Sequence, residues 1–82
     1  MYYTYILENA QGVYYIGQTN NLKERIKRHN RGGSQYTRGK GPWRLAYYEE
    51  LPDRSSAVKR EKELKAIRNK KVLKEIIEQK NG

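Results

Sequence analysis

Two short runs rich in tyrosine and β-branched residues, 2–8 and 13–17, flank Asn9-Ala10-Gln11-Gly12. That pattern reads as a β-hairpin. With Asn9-Ala10-Gln11 as the loop, Glu8 faces Gly12 and Tyr5 lies opposite Tyr15. Their Cβ atoms are then about 5 Å apart on one face. A register one residue off would send them to opposite faces. Both an ordinary aromatic cross-strand pair and a pair of hydroxyls kept for chemistry fit this placement. The chain has eight Tyr, one Trp and no Phe. Phe supplies the same bulk without a hydroxyl to satisfy, so some of these hydroxyls are expected to be wanted.

The rest of the chain reads as helices around one more strand. Asn21, with Glu24 three residues later, resembles a capping box, and a helix is expected to run to about Asn30. Arg31-Gly32-Gly33-Ser34 breaks it, and residues 32–42, with four glycines and a proline, are a loop. Trp43 to Glu49 is a third strand. Pro52-Asp53 opens a helix of roughly 15 residues. Asn69 caps a last helix carrying Val72, Leu73, Ile76 and Ile77. The expected fold class is α/β (α+β): a small three-stranded antiparallel sheet with flanking helices, in the order β-β-α-β-α-α. Eighty-two residues are expected to form a single domain over 1–82 with a thin core.

Helical spacing places some polar residues where apolar ones belong. At about 100° per residue, Arg25 and His29 border the stripe formed by Leu22 and Ile26. An arginine held there offers a fixed fork of donors suited to a phosphate. It would equally serve as a boundary residue whose stem packs, with His29 packing beside it. On the next helix Glu61 falls inside the stripe of Ala57, Val58 and Leu64, while Glu63 points away. A carboxylate in that position needs a partner. Arg25, Arg68 or a metal ion are the candidates, and a single carboxylate with waters and a substrate phosphate suits Mg²⁺. The loop Gly32-Gly33-Ser34-Gln35-Tyr36-Thr37-Arg38-Gly39-Lys40-Gly41 could follow a phosphate backbone with Arg38 and Lys40 while Tyr36 stacks; a flexible connection reads equally well. The basic residues of the last helix (Lys65, Arg68, Lys70, Lys71 and Lys74 in sequence) read as a solvated face.

Charge narrows the partners. Eighteen Lys and Arg against nine Asp and Glu give +9, the electrostatic footprint of a polyphosphate binder, shared by domains with solvated basic helices and by ribosome-associated and membrane-surface proteins. The chain has no cysteine, which removes disulfides and thiolate metal sites and fits a reducing compartment. No apolar run approaches the roughly 20 residues needed to span a bilayer, and the N-terminus lacks the charged start and apolar stretch of a signal peptide. A cytoplasmic location without membrane contact is expected.

Together these residues resemble the GIY-YIG nuclease superfamily. The second half of its motif stands as Tyr15-Ile16-Gly17, followed at the family's spacing by Asn21-Leu22-Lys23-Glu24-Arg25. In the first half only the final tyrosine is kept, since Tyr3-Thr4-Tyr5 stands where Gly-Ile-Tyr would be. Glu61, within Ser56-Ala57-Val58-Lys59-Arg60-Glu61, matches the family's metal-binding glutamate, and His29 matches a histidine of some members. The asparagine that several members place after the glutamate has no clear counterpart. The similarity covers nearly the whole chain, in particular to small stand-alone proteins related to the nuclease domain of the bacterial excision-repair incision subunit.

The resemblance implies a metal-dependent endonuclease. One divalent cation, Mg²⁺ or Mn²⁺, would sit on Glu61 and polarise the phosphate. Arg25 would neutralise the developing charge, and Tyr5 would take the proton of the attacking water. A free tyrosine is only about 0.1% ionised at pH 7, so it needs help. His29 would accept its proton, or nearby positive charge would lower its pKa. Tyr15 would position water or phosphate, and Gly17 would let the substrate approach the strand end. The partner is DNA, with duplex, branched and damaged forms all open and RNA also open; a protein partner or a homodimer would supply specificity. Two rivals remain: a non-catalytic nucleic-acid-binding module with the same fold and basic surface, and a regulatory domain without nucleic acid.

Overall fold

The computed structural model describes residues 1–33 and 37–81. The chain runs β1 (Tyr2–Asn9), β2 (Tyr14–Thr19), α1 (Leu22–Asn30), β3 (Trp43–Leu51), α2 (Arg54–Ala66) and α3 (Lys70–Asn81). The order is the β-β-α-β-α-α expected from the sequence. The strands form one antiparallel sheet in the order β2-β1-β3, with β1 in the middle. Central placement buries Thr4, Tyr5, Ile6 and Leu7 completely.

The hairpin register differs from the expectation by two residues. Tyr5 pairs with Gly17, and Tyr15 with Leu7. The cause is Asn9, whose Oδ1 accepts from the backbone amides of Gln11 (3.0 Å) and Val13 (2.9 Å). This side-chain turn draws Val13 into the loop, and Gly12 takes a left-handed φ of 77°. A shift of two preserves side-chain parity, so Tyr5 and Tyr15 still share a face as diagonal rather than direct neighbours.

Each sheet face has its own cluster. Ile6, Ile16 and Tyr47 pack with Leu64, Leu73 and Ile77 beneath α2 and α3. Tyr5, Leu7 and Trp43 pack with Tyr15, Leu22 and Ile26 beneath α1. A bulge in β3 reconciles the faces: the partner of Ile6 is Tyr47 and that of Leu7 is Leu45, which leaves Ala46 as the extra residue. Val72, expected on the apolar side of α3, is 38% exposed.

The helices begin where the caps predict. Asn21 Oδ1 accepts from the Glu24 amide at 3.1 Å, Asp53 Oδ1 from the Ser56 amide at 2.8 Å, and Asn69 Oδ1 from the Lys71 amide at 2.9 Å. Thr4 ties the sheet to α2 through a hydrogen bond from its Oγ1 to the Ala57 carbonyl, 2.8 Å. Among the described residues no helix is long and apolar enough to cross a membrane.

Candidate active site

Tyr5, in the centre of β1, is wholly buried, and His29, in the last turn of α1, is 2% exposed. Two elements far apart in sequence thus bring a phenol and an imidazole into a dry environment, where each needs a partner. They find each other: Tyr5 Oη and His29 Nε2 are 3.0 Å apart. The second ring nitrogen of His29, Nδ1, lies 2.8 Å from Thr37 Oγ1. Tyr15 completes the group, its ring centroid 4.7 Å from that of His29 and 6.4 Å from that of Tyr5.

Gly17 explains how Tyr5 fits. A Cβ there would stand 2.6 Å from Tyr5 Oη and 2.8 Å from its Cζ. The missing side chain therefore makes room for the tyrosine, a role the sequence reading had given to approaching substrate.

The charges around Tyr5 come from two helices. Burial chiefly raises its pKa well above the ordinary phenol value, and Tyr15 and Glu61 add to this. The positive charge of the Arg25 guanidinium opposes them. The pKa of His29 is lowered by burial first and by Arg25 and Arg28 next, so a neutral imidazole is the resting form. Tyr5, Tyr15 and His29 are therefore clustered, with Arg25 and Glu61 within electrostatic reach of Tyr5.

Arg25 has a second aspect. It is half-buried, and it lines two surface clefts of about 220 Å³ each, one shared with Arg28 and Arg31 and the other with Arg54. Lys65 and Tyr15 border a third, of about 370 Å³. Basic side chains thus line the surface clefts bordered by Arg25 and Tyr15.

Glu61 departs from the expectation in its partner. Its side chain is 20% exposed, and its Oε2 accepts from Lys65 Nζ at 2.6 Å, one helical turn on. Neither Arg25 nor Arg68 takes that place. The i,i+4 spacing of Glu61 and Lys65 is legible in the sequence, whereas the apolar stripe points to more distant cations.

The expected substrate contacts divide. Arg38 is exposed, and its Nε donates to the Gly32 carbonyl at 3.0 Å. Lys40 is exposed, and its carbonyl accepts from Asn9 Nδ2 at 3.0 Å. Tyr36 lies outside the described residues. Thr37, not singled out by the sequence, is 1% exposed. Its carbonyl accepts from Trp43 Nε1 at 3.1 Å and from the Lys40 amide at 3.2 Å. Nothing periodic marks a residue inside a glycine-rich loop. Tyr3, standing at the first motif's glycine, packs edge-on against Tyr48 with centroids 6.1 Å apart.

The GIY-YIG catalytic domain model matches residues 1–74. The chain belongs to the GIY-YIG family. A UPF0213 protein of Clostridium perfringens is 46% identical over 74 residues, covering 88% of this chain and 80% of that protein. One from the archaeon Halobacterium salinarum is 37% identical, covering 82% and 88%. The solution NMR structure of a UPF0213 protein from Bacillus halodurans superposes with a TM-score of 0.57 at 38% identity, covering 93% of this chain and 83% of that one. The GIY-YIG match therefore spans both sheet faces and every residue of the cluster around Tyr5.

Proposed function

We propose that this GIY-YIG chain is a metal-dependent endonuclease that hydrolyses DNA phosphodiester bonds, acting in the cytoplasm on DNA, with branched or damaged forms among the substrates to test. The observation that carries the reading is the buried 3.0 Å pair of Tyr5 Oη and His29 Nε2, with the Arg25 charge within electrostatic reach of the same phenol. A fold alone has little use for a desolvated phenol–imidazole pair with a cation nearby; a proton relay suits that arrangement.

In the proposed step, water gives a proton to Tyr5 Oη as Tyr5 passes its own to His29 Nε2. The water oxygen forms the new bond to phosphorus, the bond to the leaving oxygen breaks, the leaving alkoxide takes a proton from solvent, and His29 later returns its own proton to solvent. The phenol acts as a conduit, so its raised pKa does not bar the reaction: free phenolate never accumulates. Tyr5 is sealed in the free chain, so substrate binding has to open a path to it, and the Arg25 guanidinium offsets the charge growing on the phosphate. Tyr15 borders the same pocket and orients what enters. Arg38 and Lys40, together with Arg28, Arg31 and Arg54, hold the DNA backbone.

Glu61 is the residue to hold a divalent cation, Mg²⁺ or Mn²⁺. Among the described residues no three His, Asp or Glu side chains cluster to cage a metal. One half-buried carboxylate within reach of the phenol nevertheless suits Mg²⁺, which keeps several waters and is completed by substrate phosphate. When bound, the ion would polarise a non-bridging oxygen and stabilise the leaving oxygen.

One observation favours a second reading. Lys65 already neutralises Glu61, as a non-catalytic nucleic-acid-binding module would require. Incubating the chain with labelled duplex, branched and damaged DNA, with Mg²⁺, with Mn²⁺ and with chelator, separates the two. Metal-dependent cleavage is expected; binding without cleavage of any DNA under any condition would establish the second reading.

A further inference from the structure

We propose that Thr37 is a positioning residue of this site: its hydroxyl accepts the Nδ1–H of His29 and so holds the imidazole in the tautomer whose bare Nε2 faces Tyr5. The catalytic consequence rests on the nuclease reading above; the tautomer itself does not.

A neutral imidazole has one N–H, and both ring nitrogens of His29 lie at hydrogen-bonding distance from a hydroxyl, 3.0 Å to Tyr5 Oη and 2.8 Å to Thr37 Oγ1. Two arrangements fit these distances. In the first, Nδ1–H donates to Thr37 and Tyr5 donates to Nε2. In the second, Thr37 donates to Nδ1 and Nε2–H donates to Tyr5. Tyr5 decides between them. The only hydrogen-bond partner of Tyr5 Oη among the described residues is His29 Nε2, and the Arg25 guanidinium, whose charge acts on the phenol, can only donate and offers its proton no acceptor. In the second arrangement the phenol oxygen would accept from Nε2–H while its own proton had no acceptor among the described residues. An unmet buried O–H is costly, so the first arrangement prevails.

Thr37 can impose this because its own place is set. Its carbonyl is held by the indole of buried Trp43 and by the Lys40 amide, and its side chain is sealed from solvent. The loop end carrying Arg38 and Lys40 is thereby joined to the imidazole on the side away from Tyr5. The opposite tautomer would point a hydrogen at the phenol and block the relay. An imidazole whose tautomer is set by the partner of its other nitrogen is a recurrent device of catalytic histidines.

The chain has a single histidine, so the test is free of overlap. In the full ¹⁵N-labelled chain, long-range ¹H–¹⁵N correlation at neutral pH reads the protonation of each ring nitrogen directly. The parent and Thr37→Ser should both show protonated Nδ1 and bare Nε2. Thr37→Val, which keeps the shape without the hydroxyl, should lose the Nδ1–H form. Its kcat should fall on the order of 100-fold, with KM unchanged, and Thr37→Ser should restore it. A parent spectrum with protonated Nε2 would overturn the proposal, as would a valine variant with the parental tautomer and kcat. Should the valine variant fail to fold, the parent and serine spectra still decide. Should the parent cut no DNA, the nuclease reading fails and the spectra still decide the tautomer.

Discussion

Replacing Gly17 with alanine probes the site through its tightest contact. The new Cβ would stand 2.6 Å from Tyr5 Oη, 2.8 Å from Tyr5 Cζ and 3.2 Å from Tyr15 Cε1. Distances under 3.0 Å force something to move. Tyr5 is rigid beyond two torsions and fully buried, packed with Tyr15, Leu22 and Ile26, so its ring cannot swing aside into solvent. Overpacking of this kind costs about 1–3 kcal/mol. Alanine returns about 0.4–1 kcal/mol by stiffening the unfolded chain, so a net loss of roughly 1–2 kcal/mol is expected. For a domain of this size that lowers Tm by about 4–15 °C. The displaced phenol also leaves His29 Nε2, so cleavage should fall far more than stability, by about 10²-fold or more. Thermal melting and a metal-dependent cleavage assay at a temperature where both proteins are folded measure the two effects. A Gly17→Ala protein with parental Tm and parental cleavage would refute the claim that Gly17 exists to seat Tyr5.

Further outcomes follow from charge. Because His29 must be neutral to accept the proton and its pKa is lowered, the acid limb of kcat/KM should lie below the ordinary imidazole value of about 6.5; a limb at or above that value contradicts the relay. The same shift has a stability consequence. The unfolded chain takes up this proton before the folded one does, so the His29 contribution is present above pH of about 6.5 and is lost as pH falls from there through the folded-state pKa, which chemical denaturation across that window will show. Five cations line the clefts beside the site: Arg25, Arg28, Arg31, Arg54 and Lys65. If each meets a phosphate, affinity for DNA should drop roughly 10²–10³-fold between 50 and 200 mM salt; a flat response would defeat both nucleic-acid readings.

Much of this was legible in the sequence, for identifiable reasons. Helix starts were readable because Asn21, Asp53 and Asn69 act locally, through their own side chains on amides two or three residues away. The shared face of Tyr5 and Tyr15 was readable because parity survives a two-residue slip. The register was not, because it turned on the Asn9 side chain capturing two amides of its own loop. Nor was the Ala46 bulge, a one-residue shift in the β1–β3 register that leaves no periodic trace. Thr37 was hidden because its role depends on a loop folding back onto α1, a contact with no periodic trace. Eight tyrosines without a phenylalanine did carry information: Tyr5 bonds His29, and buried Tyr47 donates to Glu49.

The claim that matters most is that Glu61 holds a catalytic metal. Its observed partner, Lys65, is 52% exposed, and a pair of that kind contributes at most about 1 kcal/mol. Glu61→Gln should therefore melt close to the parent whichever reading holds, which leaves activity as the discriminating quantity. A neutral amide is a poor ligand for Mg²⁺. Measured with saturating DNA and a titration of Mg²⁺, the Glu61→Gln protein should bind DNA as the parent does and lose metal-dependent cleavage. Cleavage at the parental rate and the parental Mg²⁺ dependence would contradict the account.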